Sequence, residues 1–318
     1  MIATRLICAI ALTLLATTCS NNRAAVAPAY TPLIESDGSP SRILRRLFET
    51  LKLKAETVEN MNTIAQKDFL RKPNQERWEM DDRYEKQKAD IYPILQALGV
   101  THEIVPSQGM YESVNYVCLH GARVTTMRDR IKFLLDHWKK FPVASKERIK
   151  VVFFAGDRAL DAKIEGADVL LNPQFARPGW IAPKVLPTTE VSAAELLWDQ
   201  MVDNEALRQK VSFVQAPLKE DGKRPTTGDT IIEWINSSHV DLDSAHILAI
   251  SNNPYIPYQD LVFINILLDK GFRAKALETV GSAANPDTSI AVHLDNIARW
   301  LYESIKNLKL KQSAQRAS

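Results

Sequence analysis

The run Ile149-Lys150-Val151-Val152-Phe153-Phe154-Ala155-Gly156-Asp157-Arg158 decides the fold. It is apolar on both faces, as a strand buried between two layers must be, and it ends in a glycine followed by charge. Four further short apolar runs share this character, at 116–119, 211–216, 247–251 and 274–280. Between and after them lie longer stretches with helical periodicity, at 125–140, 190–204, 227–236, 258–270 and 289–308. Continuously apolar strands alternating with helices predict a parallel sheet covered on both sides. The expected architecture is α/β: a doubly wound three-layer sandwich with a mostly parallel sheet of about five strands, plus an N-terminal helical segment.

Upstream of this alternation the pattern changes. Ile43, Leu44, Leu47 and Leu51, then Val58, Met61, Ile64 and Ala65, recur at helical spacing behind a Ser39-Pro40-Ser41 start. Pro73 interrupts them. A charged amphipathic helix is expected over 76–98, with Trp78, Tyr84 and Ile91 as apolar contacts, Pro93 as a kink or restart and Gly99 as its end. Residues 20–40, rich in Ala, Pro, Ser and Asn, read as a flexible tether. Ahead of them, Arg5 precedes an uncharged apolar run over 6–15, short for a bilayer span and suited to an export signal. Leu15-Ala16-Thr17-Thr18-Cys19 resembles a bacterial lipobox, in which the cysteine is lipidated, although Ala16 and Thr18 are not its usual residues. The alternatives are an ordinary cleaved signal, with Ala25-Val26-Ala27 as its site ahead of Pro28, and an uncleaved anchor. The expected organisation is a signal over 1–19, a tether over 20–40, helices over 41–105, the α/β domain over 106–310 and a disordered tail over 311–318.

The 318 residues are 45% hydrophobic and 25% charged, enough for a substantial core and unlike a disordered chain. A net charge of +2 gives no footprint for nucleic acid. Of three cysteines, Cys8 belongs to the leader and Cys19 to the lipobox, which leaves Cys118 as a buried strand residue with no internal disulfide partner.

Ligands of doubly wound folds sit beyond the carboxyl ends of the strands, near a switch in strand order. There the first run is followed by His120, Gly121, Arg123 and Arg128. The second is followed by Gly156, Asp157 and Arg158, and Thr189-Glu190 opens the next helix. Arg224, Thr226, Thr227 and Asp229 follow the third run, and Ser251, Asn252 and Tyr255 the fourth. Glycine lets backbone approach a ligand closely, capping residues present free helix amides, and arginine clamps phosphate or carboxylate. These loops therefore predict a pocket for an anionic, hydroxyl-bearing ligand, with Asp157, Glu190 and Asp229 as acid–base candidates. Each residue also has a structural reading. Asp157, Asp229, Thr189 and Ser251 are natural helix caps, and loop arginines pair readily with carboxylates.

Several chemistries find no support. There is no Gly-x-Ser-x-Gly elbow, no Walker loop and no GxGxxG, and the six histidines show no metal-ligand spacing. No metal site is expected and no cofactor is indicated. His120, at a strand end, is either a general base or a structural residue.

The loop order resembles the YdcF-like family, also called DUF218. Gly121 stands for its first loop, Ala155-Gly156-Asp157 for its Ser-Gly-Gly, and Thr189-Glu190-Val191 for its Thr-Glu-Ala helix start. Pro225-Thr226-Thr227 followed by Asp229 resembles its Asn-Thr helix opening, and Ile250-Ser251 with Tyr255 its Thr-Ser and Tyr. Ile256 replaces the family's His, and Tyr258 or Gln259 its Arg. The similarity spans roughly residues 113–305. It implies an envelope-associated protein with a site at the strand ends, and no particular reaction. Two functions are thus expected. One is an envelope-exposed protein, anchored to the membrane through Cys19, that binds a nucleotide-like or phosphate-bearing metabolite. The other is a non-catalytic scaffold lipoprotein on the periplasmic side, docking a protein partner through the helices of 42–98.

Overall fold

A computed structural model describes residues 29–317, apart from 73, 74, 76–78, 82, 239 and 273. The leader, Cys19 and Trp78 lie outside the described residues. The strands are β1 (Tyr116–His120), β2 (Lys150–Gly156), β3 (Val211–Ala216), β4 (His246–Asn252) and β5 (Ala276–Ser282). The helices before β1 are α1 (Arg42–Thr50), α2 (Val58–Asp68), α3 (Lys88–Leu98) and α4 (Gln108–Ser113). Then come α5 (Val124–Trp138), α6 (Val143–Arg148), α7 (Ala167–Leu170), α8 (Glu190–Met201), α9 (Glu205–Arg208), α10 (Thr227–Ser237), α11 (Ile256–Asp269) and α12 (Ile290–Ala317).

All strand pairs are parallel, in the order β3-β2-β1-β4-β5. The chain winds outward from β1 through β2 to β3, then returns to the other side of β1 for β4 and β5. The switch in direction therefore lies between β1 and β4. The doubly apolar character of the strands has a direct cause. Successive side chains point to opposite faces. Val117, Leu119, Val151, Phe153, Leu248 and Ile250 enter one core with α5 and α8. Cys118, Val152, Phe154, Ile247 and Ala249 enter another with α10 and α11. Cys118 is a free, fully buried strand thiol, and burial pushes its pKa up.

Two expectations about the ends need correction. The stretch 30–40 is packed rather than a tether. Leu33 and Ile34 are buried, Ile34 bridges to Pro40, and the Tyr30 ring meets Trp300 edge-on at 5.3 Å. Its composition suggests a linker, but the Leu33-Ile34 pair covers apolar surface. At the other end α12 continues through 311–317 in place of a disordered tail. Nor do the N-terminal helices form a body of their own. Leu44, Leu47, Ile91 and Leu95 share a third core with Ile290, Leu294, Ile297 and Leu301 of α12. The helix expected over 76–98 is shorter, a 3₁₀ turn at Glu85–Gln87 leading into α3, which contains Pro93 and ends at Gly99 with φ 83°. Among the described residues no helix is long and apolar enough to cross a membrane.

Candidate functional site

A cleft of about 1360 Å³ opens at the carboxyl ends of the strands. His120 and Gly121 at the end of β1, Phe154, Gly156 and Arg158 around the end of β2, and Thr226 and Thr227 at the start of α10 line it. Lys67, Arg71 and Lys72 at the end of α2 and beyond it, and Arg299 of α12, close it from the N-terminal side. Among the described residues its walls carry ten Lys and Arg side chains against three Asp and Glu.

The glycines are there for space. A Cβ on Gly121 would run into a Glu190 carboxylate oxygen and the Phe154 carbonyl, and one on Gly156 would sit 2.5 Å from Pro225 Cγ. Close packing of the β1 and β2 ends thus brings Glu190 against the backbone beside His120.

Arg158 is the hub of this corner. It donates from Nη1 and Nη2 to Glu165 at 2.7 and 3.0 Å, and from Nε to Glu190 at 2.9 Å. Burial disfavours its charge, but the two carboxylates outweigh that and raise its pKa. Burial likewise works against the Glu165 carboxylate. Arg158 and the backbone N–H groups of Asp161 and Val124 overcome it and hold the carboxyl below its ordinary range. Glu190 goes the other way. Its burial prevails over Arg158 and raises its pKa.

At the switch point stands Arg130, which the loops alone do not reveal. Its Nη1 donates to the carbonyls of His120 and Gly121 at 2.7 and 2.8 Å, and its Nε and Nη2 donate to Asn252 Oδ1 at 3.0 and 2.8 Å. It ties the ends of β1 and β4 together while lining the cleft. His120 is 1% exposed, with Phe154 and Phe263 rings at 5.6 and 6.5 Å. Burial, seconded by Arg130, lowers its pKa to about 3, so the imidazole is neutral at ordinary pH.

The candidates chosen from sequence divide into two groups. Gly121, Arg123, Gly156, Arg158, Glu190, Arg224, Thr226, Thr227 and Tyr255 all line the cleft, and so do Tyr258 and Gln259. The others do not. Arg128 is 3% exposed and donates to the carbonyls of Val169 and Leu170 and to Gln200 Oε1, so it is a structural tie. Thr189 caps α8 in a capping box with Ser192. Asp229 closes the α10 capping box with Thr226 and meets Lys219 at 3.2 Å, which makes it a cap rather than an acid–base group. Ser251 is fully buried and donates to Gln259, while Asn252 serves Arg130. Asp157 lies off the cleft wall, its backbone N–H donating to the Ala216 carbonyl at 2.9 Å. Of the three acid–base candidates only Glu190 reaches the cleft. Among the described residues no cluster of three metal-ligating side chains occurs.

The cations supplied by α2, the segment after it and α12 were invisible to a reading of strand-end loops. They arrive through the helix packing of the third core, which no local pattern encodes. Comparison of the chain with known protein families, with curated proteins and with solved structures finds no match.

Proposed function

We propose that this chain is an exported, envelope-exposed protein of YdcF-like type that binds an anionic, phosphate-bearing small molecule in the cleft at its strand ends. Charge carries the reading: among the described residues ten cationic side chains and three carboxylates line one concavity. A concave site with low-dielectric walls focuses that field on an anion. The starts of α5, α10 and α11 add to it, since Arg123, Thr226 and Tyr255, the residues before their first turns, all line the cleft. The cleft lies at the strand-end edge beside the β1/β4 switch, where doubly wound folds take ligands. The lipobox-like sequence ending at Cys19 supports export and a lipid anchor.

One observation favours the scaffold reading, with the helices of 42–98 as the docking element: several cleft cations are already engaged, Arg158 by Glu165 and Glu190, Lys219 by Asp229, Lys223 by Asp221 and Arg299 by Asp295. The same experiment separates the two. Thermal melting of the full chain is followed at low salt with pyrophosphate, nucleoside phosphates and sugar phosphates. A ligand that binds only the folded state raises the melting temperature by mass action. The rise should shrink in Arg224→Glu and in added salt, which screens exposed charge. A well-folded protein whose melting none of these anions moves overturns the anion-binding reading and favours the scaffold.

A further inference from the structure

The cleft has two chemical zones, and the second says what the anion is attached to. Apart from Arg130 and Arg299, which stand within α5 and α12, the cations lie on loops and helix ends, whereas His120, Phe154, Tyr258 and Gln259 supply a less charged part of the wall. Among the described residues, His120 Nε2 is the only buried side-chain atom without a hydrogen-bond partner that belongs to a residue of the cleft wall. A buried polar atom left unpartnered costs roughly 1–3 kcal/mol, so such atoms are rare and ask for an explanation. An anion at this atom would be stripped of water among aromatic rings, Phe154 and Phe263, which stand against the imidazole. The imidazole itself stays uncharged, held so by burial and by Arg130. A neutral ring nitrogen in apolar surroundings suits a neutral partner that donates or accepts a hydrogen bond. The size of the cleft agrees, because about 1360 Å³ is far more than one phosphate occupies.

From this geometry we infer that the ligand is an organic phosphate with a hydroxylated body, of the sugar-phosphate class. Its phosphate is held by the cations of the cleft, and one hydroxyl reaches His120 Nε2 when the side chains that cover this buried atom give way. The inference rests on the anion-binding reading above and adds to it which part of the ligand meets the less charged wall.

The test is calorimetric titration of the full chain with four probes: inorganic phosphate, phenyl phosphate, ribose 5-phosphate and glucose 1-phosphate. At least one sugar phosphate should bind about tenfold more tightly than both inorganic and phenyl phosphate, the scale of one satisfied hydrogen bond. In His120→Phe, which keeps a ring but loses the nitrogen, the sugar phosphates should fall to the affinity of inorganic phosphate. His120→Gln, which restores a donor and an acceptor, should recover part of the preference. Equal affinity for all four probes in the wild type overturns the inference and leaves the anion site standing. Tighter binding of phenyl phosphate overturns it in favour of an apolar body. Binding of none sinks the anion site as well. If the His120 variants fail to fold, the wild-type comparison still decides whether the ligand carries a hydroxylated body, and equal affinity for the four probes still overturns the inference.

Discussion

Gly121→Ala is the most direct probe of how the site is assembled. The added methyl meets two groups at once, a carboxylate oxygen of Glu190 and the backbone carbonyl of Phe154, with Ala155 Cα at 3.2 Å behind them. Glu190 is held by Arg158, and Phe154 is paired with His120 on one side and Val214 on the other. Neither can swing aside cheaply. Overpacking a well-packed interior costs about 1–3 kcal/mol, and a rigid obstacle on two sides puts this variant near about 3 kcal/mol. For a fold of this size that is roughly 6–10 °C in melting temperature. Two other glycines calibrate the result. Gly156→Ala meets only the Pro225 ring, on a loop that can give, and should cost about 1 kcal/mol. Gly228→Ala, on α10 with its nearest neighbour Ile266 Cδ1 at 3.4 Å, should be neutral or stabilising, within about 1 kcal/mol. The assay is thermal melting of the three variants beside the wild type. Gly121→Ala melting within roughly 2 °C of wild type, or no lower than Gly156→Ala, would refute the close approach of Glu190 to the end of β1.

Arg128→Ala removes a donor from two carbonyls and Gln200, and should destabilise by about 2–4 kcal/mol. Because the residue lies off the cleft, phosphate affinity measured on the folded variant should be unchanged. Glu165→Gln should flatten the acid limb of the stability curve. The folded carboxyl titrates below its unfolded value, so its contribution is present above the ordinary carboxyl range and is lost as pH falls toward the folded pKa. Urea midpoints across acid pH read this directly. His120 adds a second acid-sensitive term. With a folded pKa of about 3 against 6.5 for the unfolded group, the chain binds an extra proton only when unfolded. Stability should then fall by about 1.4 kcal/mol per pH unit below the unfolded value, and that slope should be absent in His120→Phe.

The sheet was legible because its strands are apolar on both faces. Val151-Val152-Phe153-Phe154-Ala155 keeps all five side chains from water, as a short strand covered on both faces does. The N-terminal third was harder. Ala, Pro and Ser over 29–40 resemble a linker, and only the Leu33-Ile34 pair hints at a packed strap. In the site, glycines and caps announced themselves, since their chemistry is local. The arginines did not. Arg128 and Arg130 are two residues apart on α5, hence about 200° around the helix. One turns outward to the 169–170 carbonyls and the other inward to the strand ends. Nothing in their residue type separates them, because the difference is made by what the rest of the chain places on each side.

The third core joins the two ends of the polypeptide, and this has a consequence for how the protein is made. Leu44, Leu47 and Ile91 find Leu294, Ile297 and Leu301 only after the whole sheet between them has been translated. At roughly 5–20 residues per second, the helices synthesised first wait tens of seconds for the helix synthesised last. Throughout that interval their apolar faces lack the α12 surface that completes their core. A chain cut short before α12 would leave them in that condition permanently, so damage at the last helix is felt first at the other end of the molecule.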